Sequence, residues 1–171
     1  MPFTPIHMGI AVPVKAVSEK KFNLMIFGWA QIVMDLQPLI VILTHHGQTH
    51  GITHTLIGAV VLGLVSAVSG KYLLELAAKI VHWRNVGNGV LSWKVVFISA
   101  YFGTLSHVLL DVLIYPDVEL LWPFVEGNPL PFGFLSLEVI GFCIVCGLVG
   151  SIGWAARVII RKLKERQAKV S

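Results

Sequence analysis

Four long apolar stretches, 22–43, 52–69, 95–115 and 134–160, constrain this chain more than any other feature. An uninterrupted apolar run of about 18 residues or more is long enough, as a helix, to cross the hydrocarbon core of a bilayer. Inside that core every backbone N–H and C=O must find a partner within the protein, which a helix provides for itself. Only 13% of the 171 residues are charged, against about 25% in soluble domains, so a water-soluble fold of this size could not hide the apolar surface. The expectation is an all-α integral membrane protein, a single membrane domain with four transmembrane helices. A short N-terminal helix within 1–21, re-entrant or interfacial, precedes them. The segment 71–83 mixes Leu73, Leu74, Leu76, Ala77, Ile80 and Val81 with Lys71, Glu75 and Lys79, the pattern of an interfacial helix between spans 2 and 3. Gly87, Asn88 and Gly89 then read as a turn, and 161–171 as a basic tail. The first 15 residues are proline-broken and lack the basic start and cleavage site of a signal peptide, so the first span is expected to act as the insertion signal.

The basic residues set the orientation. Lys15, Lys20 and Lys21 precede the first span. Lys71, Lys79, Arg84 and Lys94 lie between the second and third, and Arg157, Arg161, Lys162, Lys164, Arg166 and Lys169 end the fourth. Together these are all 13 Lys and Arg. The loops 44–51 and 116–131 contain none, so the positive-inside rule places them outside the cytosol and both termini inside it. Trp122, Phe124 and Phe132 suit the outer interfacial belt, and Trp83 and Trp93 the inner one. A formal charge of +4 distributed as anchors beside apolar runs forms no independent basic face, which excludes nucleic acid as a partner.

Ionisable side chains in the hydrocarbon cost about 2.5–3.5 kcal/mol each on insertion scales and therefore mark functional candidates. Here they are Asp35, His54, His107 and Asp111. At a rise of about 1.5 Å per residue, Asp35 and His107 lie about 12 Å below the outer ends of their spans, Asp111 about 6 Å and His54 about 3 Å. Three spans thus bring imidazole and carboxylate to the outer leaflet. His107 and Asp111 are four apart and share a helix face. His46, His50 and His54 have the same spacing, but Gly47 and Gly51 break the helix, so a loop is expected to carry His50 into the start of a helix bearing Thr53, His54 and Thr55. Such a donor set suits a divalent ion, zinc first and manganese or iron next, whereas calcium and magnesium prefer oxygen alone. Each residue on its own has an alternative as a helix-to-helix hydrogen bond. His45, His46 and His82 fall in wet or interfacial places, as do Glu119, Glu126 and Glu138. Cys143 and Cys146 sit in an apolar run without polar companions and read as small packing residues.

Pro5-Ile6-His7, Met34-Asp35-Leu36-Gln37-Pro38, His50-Gly51-Ile52-Thr53-His54-Thr55-Leu56, Ser106-His107-Val108-Leu109-Leu110-Asp111 and Leu121-Trp122-Pro123-Phe124 follow one another in that order. This set, spread over about three quarters of the chain, resembles the YdjM-like family of proposed membrane-bound metal-dependent hydrolases of bacterial and archaeal cytoplasmic (inner) membranes. The resemblance implies a metal site and hydrolase activity. Gln37 stands where many members carry a second acid, which leaves it a carbonyl ligand or a prop for one. The resemblance also nominates His7. A helix over 5–17 dipping in from the cytosolic face would raise His7 about 12 Å, to within about 6 Å of the level of Asp35.

The leading expectation is a hydrolase in which His7, Asp35, His50, His54, His107 and Asp111 hold one or two ions and Asp111 or Asp117 acts as base. Its place near the outer headgroups points to membrane lipid, or another amphiphilic ester or phosphoester, as substrate. No Gly-x-Ser-x-Gly elbow, phosphate loop or cofactor fingerprint occurs, which excludes serine-hydrolase and nucleotide chemistry of those kinds. A metal-ion or proton transporter would use the same residues, and a structural or regulatory membrane protein would use them only to bond helices together.

Overall fold

Asn23 starts the first span: its Oδ1 accepts from the backbone N–H groups of Met25 and Ile26 at 2.9 and 3.1 Å, satisfying donors that a helix start leaves unpaired. The computed structural model describes residues 6–80, 91–130 and 136–168. A single 3-10 turn, His7–Ile10, leads into α1 (Ala11–Ser18), and a second, Glu19–Lys21, reverses the chain into α2 (Leu24–Thr44). After a 3-10 turn at Ile52–His54 come α3 (Leu56–Ile80), α4 (Trp93–Ile114) and α5 (Ser136–Gln167). The last four helices are each long and apolar enough to cross a membrane, and no strand forms among the described residues.

Small residues bring α2, α3 and α4 into one bundle. Gly103 of α4 lies against Ala30 and the Phe27 carbonyl of α2, and Gly63 of α3 lies against the Tyr101 ring, so a side chain at either place would collide. Two buried clusters fill the bundle: Ile26, Ala30, Ala67, Val96 and Ala100 toward the basic end, and Met34, Ala59, Val108, Val112 and Val118 toward the other. α5 stands apart, packed chiefly on α1 and the turn before it. Its outward residues Leu148, Val149 and Ile152 are exposed, as a lipid-facing helix requires.

Two boundaries differ from the sequence expectation. The separate interfacial helix expected over 71–83 is, over 71–80, the last turns of α3. Its charges are neutralised in place: Lys71 is buried, pairs with Glu75, donates to the Leu91 carbonyl at 2.8 Å and lies 5.1 Å above the Trp93 ring. The second span begins at Leu56 rather than 52, because the Thr55 hydroxyl accepts from Gly58 N at 2.9 Å and caps the helix there; His54 therefore sits on the turn before the span. The expected N-terminal helix forms a hairpin with α2, in which Lys15 Nζ donates to the Phe22 carbonyl at 2.8 Å and also to the Glu19 carbonyl. Trp83, His82, Phe132 and the Gly87-Asn88-Gly89 turn lie outside the described residues.

Candidate metal centre

Two helices and two 3-10 turns bring their polar side chains together at one level of the bundle. Asp35 comes from the middle of α2, His107 and Asp111 from the last turns of α4, His54 from the turn before α3, and His7 from the tip of the N-terminal hairpin. His107 is the hub: its Nε2 lies 3.3 Å from Asp35 Oδ1 and 3.1 Å from Asp111 Oδ2. His54 Nε2 stands 3.3 Å from the same Asp111 oxygen, and His7 Nε2 3.9 Å from the other. Two overlapping groups, His7/His107/Asp111 and Asp35/His54/His107, each have their donor atoms within 4.8 Å of one another and could hold a metal ion. His7, His54, His107 and Asp111 are buried, while the Asp35 side chain keeps 26% exposure and opens the cluster on one side.

The protons in this cluster follow from its outer partners. The Gln31 amide nitrogen donates to the Gly103 carbonyl at 3.0 Å, which turns Gln31 Oε1 toward His107 Nδ1 at 2.6 Å. An amide oxygen only accepts, so Nδ1 carries the hydrogen and the Nε2 lone pair is left facing the carboxylates. A parallel relay fixes His54: the Thr53 hydroxyl donates to Gln37 Oε1, so its oxygen accepts from His54 Nδ1 at 2.9 Å. Gln37 thus holds a histidine through Thr53, in the supporting role left open for it by the sequence. His50 Nδ1 donates to Asp117 Oδ2 at 2.8 Å.

Lone pairs on Nε2 aimed at carboxylate oxygens repel unless a proton or a metal cation lies between them. By geometry the buried Nε2 atoms of His54 and His107, the buried Nδ1 of His7 and the buried Nε2 of His50 have no satisfied hydrogen bond among the described residues. Separations of 3.1–3.3 Å match the edge of a tetrahedron with arms of about 2.0–2.1 Å, roughly 3.3 Å. Imidazoles whose far nitrogen is bonded to an amide, hydroxyl or carboxylate are the usual support of metal ligands. The residues therefore fit a divalent cation.

The sequence candidates separate by position. His7, Asp35, His54, His107 and Asp111 converge. The ring centroids run His7 to His107 at 5.0 Å, His107 to His54 at 5.4 Å and His54 to His50 at 5.2 Å. His50 lies outside both convergent groups and stacks instead on Tyr115 at 4.3 Å. Burial, then the carboxylates of Asp111, Asp35 and Asp117, push the Tyr115 hydroxyl, just past α4, up to about 12. Asp117 stands at the rim with its side chain 59% exposed. Gln31 is the functional candidate the sequence reading missed. Its only signal was its position four residues before Asp35, on the same face of α2.

Residues 7–166 match the family model described as YdjM inner membrane protein. The chain belongs to the YdjM family. No curated protein and no solved structure matches it. The matched span runs from His7 at one edge of the cluster to the basic end of α5, so every member of this YdjM protein's His/Asp cluster falls within it. An inner-membrane protein with four spanning-type helices agrees with the lipid-facing surfaces of α3 and α5.

Proposed function

We propose that this YdjM protein is a metal-dependent hydrolase of the inner membrane, acting on an amphiphilic ester or phosphoester at the outer face, with zinc as the first choice of ion. The observation that carries the reading is the convergence of tautomer-fixed Nε2 atoms on two carboxylates without a protein donor between them. His7, Asp35, His54, His107 and Asp111 would hold the ion, with His50 beside them. A divalent cation in such a site supplies Lewis acidity and lowers the pKa of bound water toward about 7.

The chain's own residues divide the remaining work. Asp111, enclosed by three imidazoles with 5% exposure, suits a ligand and not a proton shuttle. Asp117 has the access a base needs, and His50 orients it through Nδ1. The Tyr115 hydroxyl stays protonated and has no hydrogen-bond partner among the described residues, which leaves it free to donate to a substrate oxygen. The loop over the site is tied down at Asn128, whose Nδ2 donates to the carbonyls of Val112 and Tyr115 at 2.9 Å. It presents Trp122, Phe124 and Val125 outward, a surface on which an acyl chain can rest.

Metal analysis of the purified protein tests the site. The wild type should carry stoichiometric metal, and His107→Ala and Asp111→Asn should each lose it while remaining inserted in the membrane. Stoichiometric metal in both variants would remove them as ligands. Asp117→Asn should keep the metal and lose turnover of labelled lipids by about 10²–10⁴-fold, the usual contribution of a general base. Zinc flux into proteoliposomes without any turnover would move the reading to transport.

A further inference from the structure

At the opposite end of the molecule from the His/Asp cluster, a cleft of about 200 Å³ opens between the hairpin turn and α5, lined by Lys15, Glu19, Lys20, Trp154, Arg157 and Arg161. Four cations face one carboxylate there. Arg157 and Arg161 are four apart and project from one face of α5, while Lys15 and Lys20 come from the other wall.

These charges are not consumed within the protein. Arg157 spends one N–H on the Val17 carbonyl at 3.4 Å and keeps the rest of its five. Lys15 uses two of its three donors on the Glu19 and Phe22 carbonyls, which fixes its ammonium at the mouth of the cleft. Burial pushes that ammonium below its ordinary value, with Glu19 acting against the shift, so an added anion is the partner it lacks. Lys20 and Arg161 donate to no group among the described residues and are exposed. Within the turn Glu19 has a φ of 42°, a positive value that non-glycine residues seldom adopt.

The position of the cleft selects the anion. Trp154 is half exposed at its edge, and Val17, whose carbonyl accepts from Arg157, is an exposed apolar side chain on the facing wall. A ligand filling this place is phosphate-like at its head and aliphatic below it. Basic pockets beside spanning helices on the cytosolic side suit lipid head groups in this way. We propose that the cleft between the N-terminal hairpin and α5 binds the phosphate head group of an anionic phospholipid from the leaflet on the basic side.

The test uses the full-length protein in detergent, with bound lipid counted by native mass spectrometry. Phosphatidylglycerol should be retained and phosphatidylcholine should not. The exposed-surface variant Arg157→Gln/Arg161→Gln should lose about tenfold in phosphatidylglycerol affinity, as expected for removing charge-assisted phosphate contacts. Lys20→Gln, on the other wall, should also weaken retention. The charge-matched variant Lys162→Gln/Arg166→Gln, on the tail beyond the cleft, should stay within about twofold of wild type. Equal losses in the cleft and tail variants, or equal retention of phosphatidylcholine, would overturn the site. Displacement of the lipid by millimolar inorganic phosphate would make free phosphate the ligand and overturn the lipid assignment.

Discussion

Gln31 never approaches the carboxylates, yet it decides which nitrogen of His107 faces them. Gln31→Leu leaves the Gly103 carbonyl its bond from the Ser106 hydroxyl but strands the buried Nδ1 hydrogen of His107. Such an unsatisfied buried group costs about 1–3 kcal/mol, and loss of the outer partner of a metal-binding histidine lowers metal affinity about 10–100-fold. Zinc titration of the variant by equilibrium dialysis should show that loss, and an unchanged affinity would deny Gln31 its orienting role. Asp35, His54, His107 and Asp111 were legible in the sequence because ionisable groups in lipid are conspicuous. Gln31 was not, since an uncharged amide in an apolar run raises no alarm, and its partner lies 76 residues away. His50 was legible as a histidine but not as the partner of Asp117, a pairing set by how the loop folds over α3.

The N-terminal hairpin and α5 depend on each other as elements. Gly9 passes directly beneath the Cys143 carbonyl, and Gly150 beneath the backbone of Pro13, so neither position has room for a Cβ. Gly9→Val should destabilise the protein by about 1–3 kcal/mol, the usual cost of overpacking, and should pull His7 away from Asp111. Gly141→Ala, where nothing lies within 4 Å, should be silent. Thermal unfolding together with metal content distinguishes the two, and equal stability of both variants would contradict the packing described. The contact also explains Cys143, which is buried against this seam and free of any disulfide. Element existence was readable from apolar run length, whereas element ends were not. The extension of α3 to Ile80 rests on the Lys71–Glu75–Trp93 arrangement, a tertiary neutralisation that no local window reveals.

For the molecule as a whole, orientation is the reading that basic residues carry and that experiment must fix. In a chain with Cys143 and Cys146 replaced by serine, Glu126→Cys should react with a membrane-impermeant thiol reagent from outside intact cells and Lys164→Cys should not. The reverse pattern would invert the topology. If the proposed site holds zinc, the ion would act on the entire fold, because the candidate ligands come from α2, α4, the turn before α3 and the hairpin: zinc at a hundredfold excess over its Kd should then stabilise by about 2.7 kcal/mol. A chelator should reverse the gain in melting temperature.

The seating of His7 also fixes when the centre can be assembled. Its hairpin precedes α2 to α5 in the chain but rests mainly on α5. Until α5 has left the translocon, the hairpin lacks the wall that holds Gly9 and Pro13, and His7 has no support beside Asp111. Seating of His7 beside Asp111 is thereby coupled to the insertion of α5, so a chain cut before α5 cannot complete the His/Asp cluster.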